Sequence, residues 1–232
     1  MVIFMKDLIN VKFIYSSQTK PSYQIKIVAC TFLATMIPVT LIFLLLNIGQ
    51  KTGIGYLTRD TAALTNTPFY IGLFSNIGIL LWCSCATICL FSYAILKQNN
   101  RYRELTGFLL FSGLLTSFLT LDDLLMLHEE VFPLYLKFPE KLFYVLYLMT
   151  ILFGFGKNFQ AIKKTEFIIL SAAIVFFILS ILSDKIHNHH IVAVMEDVFK
   201  IIGISTWLTY LTRLCWREIN NLLRLSKINE DF

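Results

Sequence analysis

The amino-acid sequence predicts an all-α fold, a polytopic membrane helical bundle of six transmembrane helices with N- and C-termini cytoplasmic. Three observations lead there. The 232-residue chain is 56% hydrophobic, with 21 Phe against 5 Pro, and its mean hydropathy of +0.69 lies far above the balance of a soluble domain. Apolar stretches close to the ~20 residues that a helix needs to cross hydrocarbon recur six times along the chain. The basic residues gather in alternate connections, which is the positive-inside pattern.

Residues 1–26 open with MVIFMKDLINVKFIY, which is amphipathic and mildly basic. Without an uninterrupted apolar run or a small-residue cleavage site, this segment reads as a cytoplasmic interfacial element, and Pro21 separates it from the first span. The six spans are expected at residues 27–47, 70–96, 107–127, 142–156, 167–183 and 191–212, so that 27–212 form one transmembrane domain. The second is longer than crossing requires and should tilt; the fourth, after Pro139-Glu140-Lys141, is the shortest. Residues 213–232 read as a cytoplasmic tail.

Charge placement tests the count independently. With the N-terminus inside, 14 of the 20 Lys and Arg residues are cytoplasmic, among them Lys97, Arg101 and Arg103 in one short loop and Lys157, Lys163 and Lys164 in another. Five or seven spans would put one of those loops outside. The net charge of +5 then reflects topology and attraction to anionic lipid, so the bilayer is the expected partner and nucleic acid is not. The five cysteines, Cys30, Cys83, Cys85, Cys89 and Cys215, include no CxxC pair and read as small apolar packing residues.

Acid is distributed asymmetrically too. Nine of the fifteen carboxylates and all four histidines, His128, His187, His189 and His190, fall on the extracytoplasmic side, although the positive-inside rule is nearly blind to Asp and Glu. In LDDLLMLHE, residues 121–129, Asp122 and Asp123 lie about 7–8 Å inside the outer end of the third span. Glu196, Asp197 and Lys200 lie comparably deep in the sixth, where each charge costs about 2.5–3.5 kcal/mol and is expected to face the bundle interior. Lys200 is one turn from Glu196, so an ion pair within that helix is available. Helical phase puts Asp122 and Glu129 on one face and points His128 elsewhere. The fifth span ends in LSDKIHNHH, offering Asp184 and His187, and the second begins near FSNIGILLW, offering Ser75 and Asn76.

Such a layer suits three classes of function. In a metal-dependent membrane hydrolase acting on a lipid-like substrate, Asp122, His128, Asp184 and His187 would hold zinc or another divalent metal. Glu129, Glu196 and Lys200 would serve the chemistry, with Ser75, Asn76, Asp123 and Asp197 in support. The HEE at residues 128–130 is only the start of a helical HExxH. In a proton- or cation-coupled transporter or channel the same acids and Lys200 would exchange partners. A membrane sensor would only bind a small molecule, an ion or a lipid there.

The pairing of LDDLLMLHE with MEDVFKIIGISTWLTYL, residues 195–211, and with FSNIGILLW resembles a widespread group of bacterial six-span membrane proteins to which no activity is attached. That resemblance implies the plasma membrane as location. A fainter likeness is to the ceramidase-like membrane hydrolases, which implies zinc held by His and Asp; this chain has one span fewer and lacks their order of Ser, Asp and His.

Overall fold

The structure is a computed structural model that describes residues 21–50, 61–68, 70–98, 103–184 and 190–230. Among the described residues it is all-helical. Residues 1–71 and 72–232 form two separate compact units.

The first unit holds α1 (Pro21–Gln50) and α2 (Thr61–Thr65). Pro21 opens α1 at a position where a missing backbone N–H costs nothing, while Pro38 removes a donor in mid-helix. Val28, Phe32, Ile37 and Leu41 are all exposed, as they are on a helix that is apolar on every side. The expected first span, 27–47, lies inside α1.

The second unit begins at Gly72, whose left-handed φ of 73° is a conformation that L side chains rarely adopt. It follows a turn at residues 70–72, so α3 (Leu73–Leu96) starts three residues later than the expected span, and its 24 residues are still more than the ~20 that crossing requires. Next comes α4 (Arg103–Leu125), which stops at Met126, itself left-handed at φ 48°. A π-helical segment (Leu127–Leu136) follows and contains Pro133. Then come α5 (Glu140–Lys157), the short α6 (Phe159–Lys163), α7 (Phe167–Asp184) and α8 (His190–Glu230). Far from ending near residue 212, α8 runs for 41 residues, so the expected tail is helical through Glu230. Three described helices are long and apolar enough to cross a membrane, at Gln24–Leu41, Leu73–Leu96 and Leu105–Leu125.

The core forms where α3 packs on α4 and α8, and α8 on α7. Trp82, Cys85, Cys89 and Leu96 meet Phe108, Leu109, Ala173, Ile204, Trp207 and Tyr210 there. Ring contacts knit the layers: Phe177 stacks on Trp82 at 5.5 Å, Phe155 stacks on Trp207 at 6.0 Å, and Phe108 meets Tyr210 edge-on at 6.3 Å. The Trp207 indole N–H donates to Thr116 Oγ1 at 3.2 Å. The outward faces carry Leu80, Phe91, Phe153 and Ile168, all well exposed. Where lipid is the solvent, apolar burial drives helices together only weakly and tight packing must do the work. Gly154 illustrates this, because a Cβ there would overlap the Phe111 ring of α4. Gly154→Ala is therefore expected to lower stability by about 1–3 kcal/mol, and Phe111→Leu to restore most of the loss, as read by thermal unfolding in detergent.

Candidate functional site

The break at Met126 creates the site. Had α4 continued, His128 would have pointed away from Asp122. With Met126 left-handed and the next turn widened, Val131 N bonding back to Met126 O at 3.2 Å, the chain folds His128 over the end of α4. Its backbone N–H donates to Asp122 Oδ1 at 3.1 Å, and its Nδ1 lies 2.7 Å from Asp122 Oδ2. Both groups are buried, at 2% and 8% exposure. π-Helical turns recur at functional sites. The expected face shared by Asp122 and Glu129 is thus corrected: the helix does not continue far enough to align them, and Glu129 is exposed.

The imidazole has a defined orientation. Asp122 takes Nδ1, leaving Nε2 as the outward nitrogen, with Glu129 Oε1 3.6 Å away. From α5, Tyr144 and Tyr147 approach the ring edge-on at 5.7 and 6.1 Å. The Tyr147 hydroxyl is buried beside Asp122 but makes no hydrogen bond of good geometry. Burial alone would lower the His128 pKa, but the hydrogen bond and charge of Asp122, with Glu129 behind, win and raise it above the ordinary histidine value.

Asp123 faces the other way and ties three helices together. It accepts the Trp82 indole N–H of α3 at 3.0 Å on Oδ2 and the Lys200 ammonium of α8 at 2.9 Å on Oδ1. Lys200 therefore pairs across helices, with Asp123 of α4, where a pairing within α8 was expected. The reason is reach: a Lys side chain on the inner face of α8 meets the carboxylate presented by α4 without bending back along its own helix. Glu196 is half-buried, and its backbone carbonyl accepts Ser180 Oγ at 3.1 Å. Asp197 is exposed.

Ser75 and Asn76 are exposed in the first turn of α3, and the residue that α3 contributes is Trp82, roughly 10 Å further along the axis. The signal in the sequence was an indole N–H that must find an acceptor when buried. Tyr144 and Tyr147 were readable only as a pair three residues apart on one helical face. His187 lies outside the described residues, as does the side chain of Asp184.

Two of the four expected metal ligands, His187 and the Asp184 side chain, thus lie outside the described residues, and among the described residues no three His, Cys, Asp or Glu side chains stand close enough to share an ion. Both oxygens of Asp122 are engaged by His128, which places that carboxylate behind the imidazole.

Comparison with protein families matches residues 27–214 to a domain of unknown function, DUF8692. The chain belongs to this family. The DUF8692 region encloses every residue of the site, from Trp82 to Lys200, and ends near Leu214 while α8 continues. No curated protein and no solved structure matches this DUF8692 member.

Proposed function

We propose that this DUF8692 protein is a six-span membrane protein with both termini cytoplasmic, and that Asp122 and His128 form the acid–base element of a hydrolase acting on a lipid-like substrate at the outer leaflet. The observation that carries this reading is the imidazole held through Nδ1 by a buried carboxylate, with Nε2 left toward the exposed Glu129. A histidine oriented in this way takes a proton from water or a substrate hydroxyl through Nε2, while the carboxylate stabilises the imidazolium that forms. The spans are α1, α3, α4, α5, α7 and the first half of α8. At 18 residues each, α5 and α7 reach about 27 Å, close to the thickness of the hydrocarbon layer. The resemblance to bacterial six-span proteins supports the bacterial plasma membrane as location.

Zinc enters at one point only. A carboxylate behind Nδ1 is the support that metal-ligating histidines use, so a divalent ion would take His128 Nε2, with Glu129 the nearest described oxygen donor.

The test combines two measurements on detergent-purified protein: bound metal, and cleavage of short-chain ester and amide lipid analogues, each with and without His128→Ala. Cleavage that His128→Ala abolishes in folded protein is the expected result. Stoichiometric metal lost in the same variant assigns the ion to Nε2, and a metal-free active protein assigns the base to His128 alone. No cleavage of either bond class by the wild type overturns the hydrolase.

The Asp123–Lys200 pair within the spans favours a second reading, a proton- or cation-coupled transporter. Proteoliposome flux unchanged by Lys200→Met would remove it.

A further inference from the structure

At the opposite end of the bundle the structure holds a second, unrelated site. A cavity of about 200 Å³ is lined by Glu166, Tyr210, Arg213, Leu214, Trp216 and Arg217. Its frame is fixed by polar contacts between the turn before α7 and the helix α8. Glu166 grips Arg213 with two bonds of 2.6 Å, to Nε and Nη2, and Tyr210 Oη shares a 2.8 Å bond with Thr165 Oγ1. Arg213, lying across Glu166, holds that carboxyl below the usual range.

Arg217 is held differently. Its Nε donates to Glu218 at 2.8 Å, and its two terminal nitrogens have no hydrogen-bond partner among the described residues. Lys163 and Lys164, just before Glu166, are exposed, and the Lys163 ammonium lies 4.5 Å over the Phe159 ring. Of the residues that line the cavity, Arg213 and Arg217 are cationic and Glu166 is the carboxylate, so the lining is net positive. Beside it Trp216 is 70% exposed, and an indole where an apolar run gives way to charged residues sits at headgroup depth.

We infer that this corner binds the phosphate of an anionic phospholipid of the inner leaflet. A guanidinium with unfilled donors takes phosphate oxygens, the surplus positive charge excludes zwitterionic headgroups, and Leu214 and Trp216 offer an apolar wall to the first acyl carbons. Basic pockets at the cytoplasmic ends of membrane helices bind lipid headgroups by this combination. The choice of leaflet rests on the topology proposed above; the headgroup chemistry does not.

The test is native mass spectrometry of detergent-purified protein titrated with phosphatidylglycerol or phosphatidylcholine. Phosphatidylglycerol adducts should exceed phosphatidylcholine adducts, and Arg217→Gln should weaken phosphatidylglycerol binding about fivefold while leaving phosphatidylcholine and the unfolding temperature unchanged. Millimolar inorganic phosphate should not displace the lipid. Equal binding of both lipids, undiminished phosphatidylglycerol binding by folded Arg217→Gln, or displacement by phosphate would each overturn the inference. Sidedness is read separately, by an impermeant maleimide on an added Arg224→Cys in vesicles of known orientation. Labelling from the outer side would overturn the topology and the leaflet while leaving the headgroup result to stand.

Discussion

Asp123→Ala is expected to lower the stability of the bundle by about 3 kcal/mol in detergent unfolding, because it strands the Lys200 ammonium and the Trp82 indole together. The figure sits at the low end for a broken buried pair, since Lys200 keeps 35% of its side chain accessible. Lys200→Met should cost a similar amount by stranding the carboxylate. The informative measurement is the double variant Asp123→Leu/Lys200→Met, which leaves no uncompensated charge and should recover most of the loss. Additive losses would mean that the two groups do not act as a pair. Trp82→Phe should cost less, about 1 kcal/mol for one hydrogen bond, because Lys200 still holds Asp123.

The second large effect falls on His128 and depends on pH. Its pKa is raised in the folded protein by the buried Asp122. A raised histidine adds stability that is fully present below the unfolded value of about 6.5 and disappears as pH climbs through the folded value. Asp122→Asn keeps an oxygen for the His128 backbone N–H but removes the charge. The variant should therefore be less stable than wild type at pH 5–6, by about 2 kcal/mol for a charged hydrogen bond, and the gap should narrow as pH rises past the wild-type midpoint. An NMR titration of His128 should show the midpoint above 6.5 in wild type and lower in Asp122→Asn. An unchanged midpoint would dissociate the two groups.

Much of the bundle was legible because long apolar runs mark its helices and basic, polar segments mark the breaks between them. The expected spans at 107–127, 142–156 and 167–183 fall on α4, α5 and α7 within a few residues. What composition could not show was backbone conformation at single residues. Nothing in the side chain of Met126 announces a left-handed turn, yet that turn decides whether Asp122 looks toward Glu129 or toward His128. Periodicity assumes a continuous helix, and it assigned faces correctly only up to the point where the helix stopped. The partner of Lys200 was hidden for a different reason. A spacing of four along one helix is visible in the sequence, whereas the 77 residues separating Lys200 from Asp123 are bridged only by the packing of α8 toward α4.

The length of α8 carries a mechanical consequence. At 41 residues it measures about 60 Å, roughly twice the hydrocarbon thickness, and it stays helical from His190 to Glu230. Lys200 and Arg217 stand on this one rod, 17 residues or about 25 Å apart. Lys200 and Arg217 lie to either side of Ile204 and Trp207, where α8 enters the core. A rigid tilt of about 5° about Ile204 and Trp207 would displace Arg217 by roughly 1–2 Å, enough to open or close a hydrogen bond there, so a change at Lys200 would be felt at Arg217 without any residue between them changing partner.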